Sequence, residues 1–186
     1  PNVVSPVIQF VTAHGGEGAS TVSFAVADIA ARAFGKRVLL ISTSMREGVS
    51  VPVVSLEEIA FGEVAFDTLD EPGDVESSSI NVVSLQMARD RQQPPRMRQM
   101  FETLFTRLRA RFDLVVIDAP AVLEDFHAAS LAEFTDGSVL VIEAERTRAP
   151  VARRASEVIE INGGKMLGVV LNKRRMHIPS WAYRQL

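Results

Sequence analysis

The chain has 186 residues, 20 Lys and Arg against 23 Asp and Glu, and a formal net charge of −3; 47% of it is hydrophobic and 23% charged. That balance describes one soluble globular domain able to bury a sizeable core, and it excludes a disordered chain. The complete lack of cysteine excludes disulfides, thiolate metal sites and cysteine nucleophiles, and His14, His127 and His177 are too few and too scattered for a histidine-rich metal site.

No apolar run approaches the ~20 residues that span a bilayer. No basic n-region opens the chain, so no signal peptide is expected and the cytoplasm is the expected compartment. The first residue is Pro1 rather than Met, which reads as an excised or processed domain and leaves room for a membrane or other region upstream.

In chain order, Val7 to Thr12 is a short apolar run that predicts a strand ending in a glycine cluster. Ser20 to Phe34 has helical spacing, with Val22, Ala25, Val26, Ile29, Ala30, Ala33 and Phe34 on one face and Gly35 as the stop. Arg37 to Ile41 and Ile80 to Leu85 predict two more strands. The stretch from Glu47 to Ala88 is the least regular, with nine acidic residues and no basic one; Arg89 to Arg111 reverses this with seven arginines against two acids. Two solvated faces of opposite sign explain that pattern, and a self-complementary contact between subunits is the sharper reading.

Pro94-Pro95 introduces a helix with the stripe Met97, Met100, Phe101, Leu104, Phe105 and Leu108. Asp113 to Asp118 and Ser138 to Ile142 predict buried strands, a helix runs through Val151, Ala155, Val158 and Ile159, and Gly168 to Asn172 is the last strand. Near-continuous Val/Ile/Leu strands separated by helices imply an α/β fold of three layers, a mostly parallel sheet flanked by helices. Residues 1–186 read as one domain, with 173–186 a basic tail.

The chemistry sits in the glycine loop Gly15-Gly16-Glu17-Gly18-Ala19-Ser20-Thr21, between the first strand and the first helix. Glycines let backbone N–H groups surround phosphate oxygens, and the helix N-terminus adds its dipole. A phosphate-binding loop also carries Lys and then Ser or Thr after its last glycine. Here the lysine position holds Ala19, while Ser20 and Thr21 follow as expected. A dinucleotide site is the rival. It wants a third Gly or Ala where Thr21 stands and an acid where Ser42 ends the second strand.

The loop resembles that of the deviant Walker A superfamily of ParA and MinD type ATPases, and within it the bacterial tyrosine kinase domain of capsule and exopolysaccharide systems. Gly15 to Thr21 is similar to the family's P-G-E-G-K-S-T with two substitutions. Leu39-Leu40-Ile41-Ser42-Thr43-Ser44-Met45-Arg46 is similar to L-L-I-D-x-D-x-R with both aspartates turned to serine. Asp113 to Pro120 matches D-x-V-I-I-D-x-P, and Asp136-Gly137 with Gly168-Val169-Val170-Leu171-Asn172 fits the family's late motifs. Four motifs in order, from about Val7 to Asn172, make the resemblance specific.

The resemblance implies ATP or ADP with Mg²⁺ as ligand. Gly15, Gly16, Glu17, Gly18, Ala19, Ser20 and Thr21 would cradle the phosphates, Asn172 would contact adenine, and Ser20 with Asp118 would hold the metal. It also implies that the reaction is impaired. Alanine cannot neutralise the β/γ-phosphates, a loss of a preorganised donor that typically costs about 10²–10³ in rate. Serine is a poor Mg²⁺ ligand beside a carboxylate. Asp118, Ser42 and Ser44 are therefore relics of a catalytic set. None of the three lysines (Lys36, Lys165, Lys173) lies near the loop in sequence, and His14, at the superfamily's signature lysine, is a poor substitute when neutral. The bland alternatives are helix capping for Ser20 and Thr21, a turn acceptor for Asp118, a polar strand end for Asn172 and a mere family marker for Glu17.

The expected function is a catalytically degenerate tyrosine-kinase-like protein, a scaffold or regulator of exopolysaccharide or capsule assembly with weak or no nucleotide binding. The alternatives are an active autokinase or ATPase with a rearranged site, and a MinD/ParA-like positioning or pilus-assembly protein. The partner implied is a membrane chain-length or polymerisation protein at the inner face of the inner membrane. A homo-oligomer is compatible with the family and nucleic acid is not expected. Trp181 and Tyr183 read as tail packing, Tyr183 being the chain's one tyrosine.

Overall fold

The computed structural model describes residues 5–43, 53–55, 80–86 and 94–174. Its core is a seven-stranded sheet: β1 (Val7–Thr12), β2 (Val38–Ser42), β3 (Val53–Ser55), β4 (Ile80–Gln86), β5 (Leu114–Asp118), β6 (Gly137–Glu143) and β7 (Met166–Asn172). The spatial order is β3-β4-β2-β5-β1-β6-β7, and every described pairing is parallel. Parallel neighbours need crossovers, supplied here by α1 (Ala19–Phe34), α2 (Pro94–Arg111), α3 (Phe126–Ala132) and α4 (Ala149–Ile161). The three-layer α/β expectation is borne out.

The alternation of strand side chains splits the core in two. Val7, Val11, Leu39, Ile41, Val115, Ile117 and Leu140 face α2, α3 and α4, packing with Phe101, Leu104, Leu108, Leu131 and Ile159. Phe10, Val38, Leu40, Val116 and Val141 face the other way, onto Ala19, Ala27 and Ala31 of α1. Because both faces are covered, the strands read as continuous apolar runs in the sequence.

The first helix departs from its sequence reading. Its buried edge is Ala19, Ser23, Ala27 and Ala31, spaced by four, with Val22, Val26 and Ala30 half-buried beside it. Ala25, Ile29, Ala33 and Phe34, expected on the buried face, are exposed. The strands already present bulky side chains to this layer, so the helix edge that seats best is the one made of small residues. Ser23 is accommodated because its hydroxyl donates to the Ser20 carbonyl at 3.2 Å. The stop is as expected: Gly35 is left-handed (φ 60), and the Lys36 N–H donates to the Ala30 carbonyl.

β3 and α3 were not expected from the sequence. β3 is three residues inside the irregular stretch, and α3 is seven residues introduced by Asp125, whose side chain accepts from the His127 N–H. Most of the acidic stretch 47–88, as well as Ser44, Arg46, Trp181 and Tyr183, lies outside the described residues.

Candidate functional site

β1 ends at Thr12 in the middle of the sheet, and the loop 13–18 turns from it into α1. Phe10 of β1 is in register with Asp118 of β5, and Asp118 with Ser42 of β2. Three neighbouring strand ends therefore deliver the loop, Asp118 and Ser42 to one crevice at the carboxyl edge of the sheet. Ligands of open α/β sheets bind in such a crevice. Asn172 arrives at the same edge from the end of β7.

The loop is held by side chains from far along the chain. Glu17 is 4% exposed. Its Oε2 accepts from the N–H groups of Ala13 (2.8 Å) and His14 (2.9 Å), and its Oε1 accepts from the Thr147 hydroxyl. Asn172 Nδ2 donates to the Glu17 carbonyl at 2.9 Å. Lys173 Nζ lies 2.5 Å from the Gly16 carbonyl and 3.1 Å from Glu143 Oε2. Glu124 Oε1 accepts from the Gly15 N–H at 3.2 Å and lies 3.0 Å from His14 Nδ1. The Gly15 N–H and His14 hold the Glu124 carboxyl below the usual carboxylate range, and Lys173, foremost, does the same for Glu143.

These bonds leave the Gly16, Glu17 and Gly18 carbonyls turned to protein partners, the last accepting from the N–H groups of Thr21 and Val22 at 3.2 Å. The N–H groups of Gly16 and Gly18 have no acceptor among the described residues. Outward carbonyls and unsatisfied N–H donors at a helix N-terminus fit an anion. Gly18 is left-handed at φ 100, a conformation side chains rarely adopt.

Other sequence expectations change here. The cap of α1 is Gly18, with no side-chain cap bond, so Ser20 and Thr21 lie within the first turn and do not cap it. Glu17 is a structural organiser of the loop rather than a family marker alone. His14 is half-exposed, as a loop residue should be, but it is paired with Glu124. Lys173, 157 residues away from Gly16, sits on the loop in space. Only three-dimensional proximity reveals it.

Ala19 is 6% exposed, and its methyl group belongs to the apolar cluster with Phe10 and Val116. Asp118 is 2% exposed; Ser42 Oγ donates to its Oδ2 at 3.4 Å, while Thr43 donates to its carbonyl through N–H (3.0 Å) and Oγ1 (2.9 Å). Among the described residues no group of three His, Asp or Glu could hold a metal ion. Mg²⁺ commonly takes one or two carboxylates with waters and substrate phosphates. Asp118 and Ser20 therefore fit the ion only in company with a phosphate. An open pocket of about 290 Å³ lies beside the loop, between His14, Gly15 and Glu17 on one side and Glu143, Arg146, Thr147 and Arg148 on the other. No described helix is long and apolar enough to cross a membrane.

No family model matches the chain. Individual relatives do. Tyrosine-protein kinase CpsD of Streptococcus agalactiae is 30% identical over 176 residues, spanning 90% of this chain and 75% of the relative. Among solved structures, the VpsO kinase domain superposes with a TM-score of 0.69 at 26% identity, covering 92% of this chain and 86% of that one. The cell division ATPase MinD of Pyrococcus furiosus reaches 0.65 at 22% identity over 97% of this chain and 78% of its own, a likeness of fold. At that identity and coverage of CpsD, the chain belongs to the bacterial tyrosine-protein kinase family.

Proposed function

We propose that this chain is a tyrosine-kinase-like P-loop protein that acts as a scaffold or regulator in capsule or exopolysaccharide biosynthesis and export, without efficient phosphotransfer and with weak or no nucleotide binding. The observation that carries the reading is position 19. In the family a lysine there reaches the phosphates; here the side chain is a methyl group packed into the core beside Phe10. The loss of such a donor typically costs about 10²–10³ in rate. Next to it, Asp118 faces a hydroxyl, Ser42, where the family motif has a carboxylate, which weakens any hold on Mg²⁺. The backbone of the loop is kept while the charges that drive the reaction are not, as a retained docking or signalling fold would be.

Family membership supports the remaining parts of the reading. The partner would be a membrane chain-length or polymerisation protein of a polysaccharide system. The chain would then work as one domain at the inner face of the inner membrane, alone or as a homo-oligomer.

The test is ATP hydrolysis and tyrosine phosphorylation by the whole chain with Mg²⁺, beside the restored variant Ala19→Lys/Ser42→Asp/Ser44→Asp. Background rates in the wild type and a large gain in the variant are expected. Wild-type turnover typical of working kinases would sink the reading. One observation favours a second reading, an active ATPase or autokinase with a rearranged site: Lys173 brings an ammonium group to the loop. Under that reading Lys173→Met abolishes a turnover that the wild type shows.

A further inference from the structure

Asn172 and Lys173 grip two consecutive carbonyls of the loop. Asn172 Nδ2 is 2.9 Å from the Glu17 carbonyl, and Lys173 Nζ is 2.5 Å from the Gly16 carbonyl. A trans peptide unit points its N–H opposite to its C=O, and no described peptide is cis. The Gly16 carbonyl shares a peptide with the Glu17 N–H, and the Glu17 carbonyl with the Gly18 N–H. Pulling both carbonyls toward β7 therefore turns those two N–H groups to the opposite side, into the loop.

Lys173 is itself set for the task. It is one of two described non-glycine residues with a positive φ, 54°, a backbone state that L residues rarely adopt. Its ammonium is anchored from behind by Glu143 Oε2 at 3.1 Å, on the neighbouring β6. The carboxylate side chain is 18% exposed and the lysine 45%. Glu143 also donates its N–H to Thr147 Oγ1 (3.2 Å), which bonds Glu17 in turn. The ends of β6 and β7 thus close a ring of hydrogen bonds around Gly16 and Glu17.

We propose that Lys173 is a positioning residue for the phosphate cradle: from the end of β7 it holds the Gly16–Glu17 backbone in an anion-receptive shape, so that the loop keeps a backbone-only grip on a nucleoside diphosphate although position 19 carries no lysine. This rests on the functional reading above and sharpens its "weak or no" binding to weak binding. Lys173 acts through the backbone and not on the transferring phosphate.

The experiment uses the whole chain and two readouts: the backbone amide ¹H–¹⁵N chemical shifts of Gly16 to Ala19 without ligand, and calorimetric titration with ADP and Mg²⁺. Lys173→Met should move the amide resonances of Glu17 and Gly18 and weaken ADP binding about tenfold. Lys173→Arg should rescue both, because it keeps a cation within reach of Gly16 and Glu143. Glu143→Gln should give an intermediate effect that disappears in the Lys173→Met background. Unmoved loop amide resonances together with an affinity within about twofold of wild type in Lys173→Met overturn the proposal, as does a wild-type chain that takes up no ADP at about 1 mM. The second result leaves the scaffold reading intact. Kinase-level turnover would sink that reading while leaving the positioning role of Lys173 standing.

Discussion

Gly18→Ala tests the geometry of the loop more sharply than any charge change. Gly18 caps α1 at φ 100 and ψ 26. Forcing alanine into a left-handed backbone costs about 1–2 kcal/mol. A Cβ built at this position also falls inside 3.0 Å of Asn172 Nδ2. The Asn172 amide must then leave the Glu17 carbonyl, and a lost hydrogen bond costs about 1 kcal/mol more. The sum, about 2–3 kcal/mol, is a large share of the ~5–15 kcal/mol of a typical domain. Guanidinium denaturation of wild type, Gly18→Ala, Asn172→Ala and the double variant measures it. Both single changes remove the same bond, so the double variant should fall short of additivity by about 1 kcal/mol. A Gly18→Ala loss below about 0.5 kcal/mol, or strict additivity, would refute the packing of the Asn172 amide against Gly18 and the Glu17 carbonyl.

Other predictions concern the core, the metal position and pH. Phe101 is fully buried, with the Phe105 and Phe134 rings at 6.1 and 5.1 Å; Phe101→Ala should cost about 3–5 kcal/mol in thermal or chemical unfolding. Ser42→Asp places a second carboxylate against buried Asp118. It should destabilise the ligand-free chain by about 1–3 kcal/mol and make its melting temperature rise with Mg²⁺, whereas a melting temperature indifferent to Mg²⁺ contradicts the crevice as a metal position. Arg37, through its side-chain and backbone bonds, lowers the Asp113 carboxyl below the usual range. A depressed folded pKa means that the stabilisation is present above the unfolded value and lost as pH falls through the folded one. At neutral pH Asp113→Asn should therefore cost about 0.2–1 kcal/mol, the worth of an exposed pair, and the two proteins should converge in acid. Glu17→Ala leaves the buried Ala13 N–H without its acceptor and should cost about 1–3 kcal/mol by denaturant titration.

What could be read from the sequence follows from the range of each interaction. Val7–Thr12, Leu114–Asp118 and Gly137–Glu143 are buried on both faces, so their apolar runs announced them within a residue or so. α1 announced its existence but not its orientation. Hydrophobicity favoured Ile29 and Phe34 for the core, while the close approach to a sheet already filled by Phe10, Leu40 and Val116 favoured Ala27 and Ala31. Size decided the face, and a single helix carries no record of what it packs against. The loop shows the same division. Its glycines, and the loss of lysine at Ala19, are local and legible. The partners that shape it come from Glu124, Thr147, Asn172 and Lys173, between 109 and 157 residues away from the groups they hold. A lysine missing from the motif was visible; a lysine supplied by the last strand was not, because register between β1, β6 and β7 brings it there. Position 19 carries a methyl group and no cation, while Lys173 meets the Gly16 carbonyl from the end of the last strand. That separation is what a fold retained for binding or docking, rather than for turnover, would preserve.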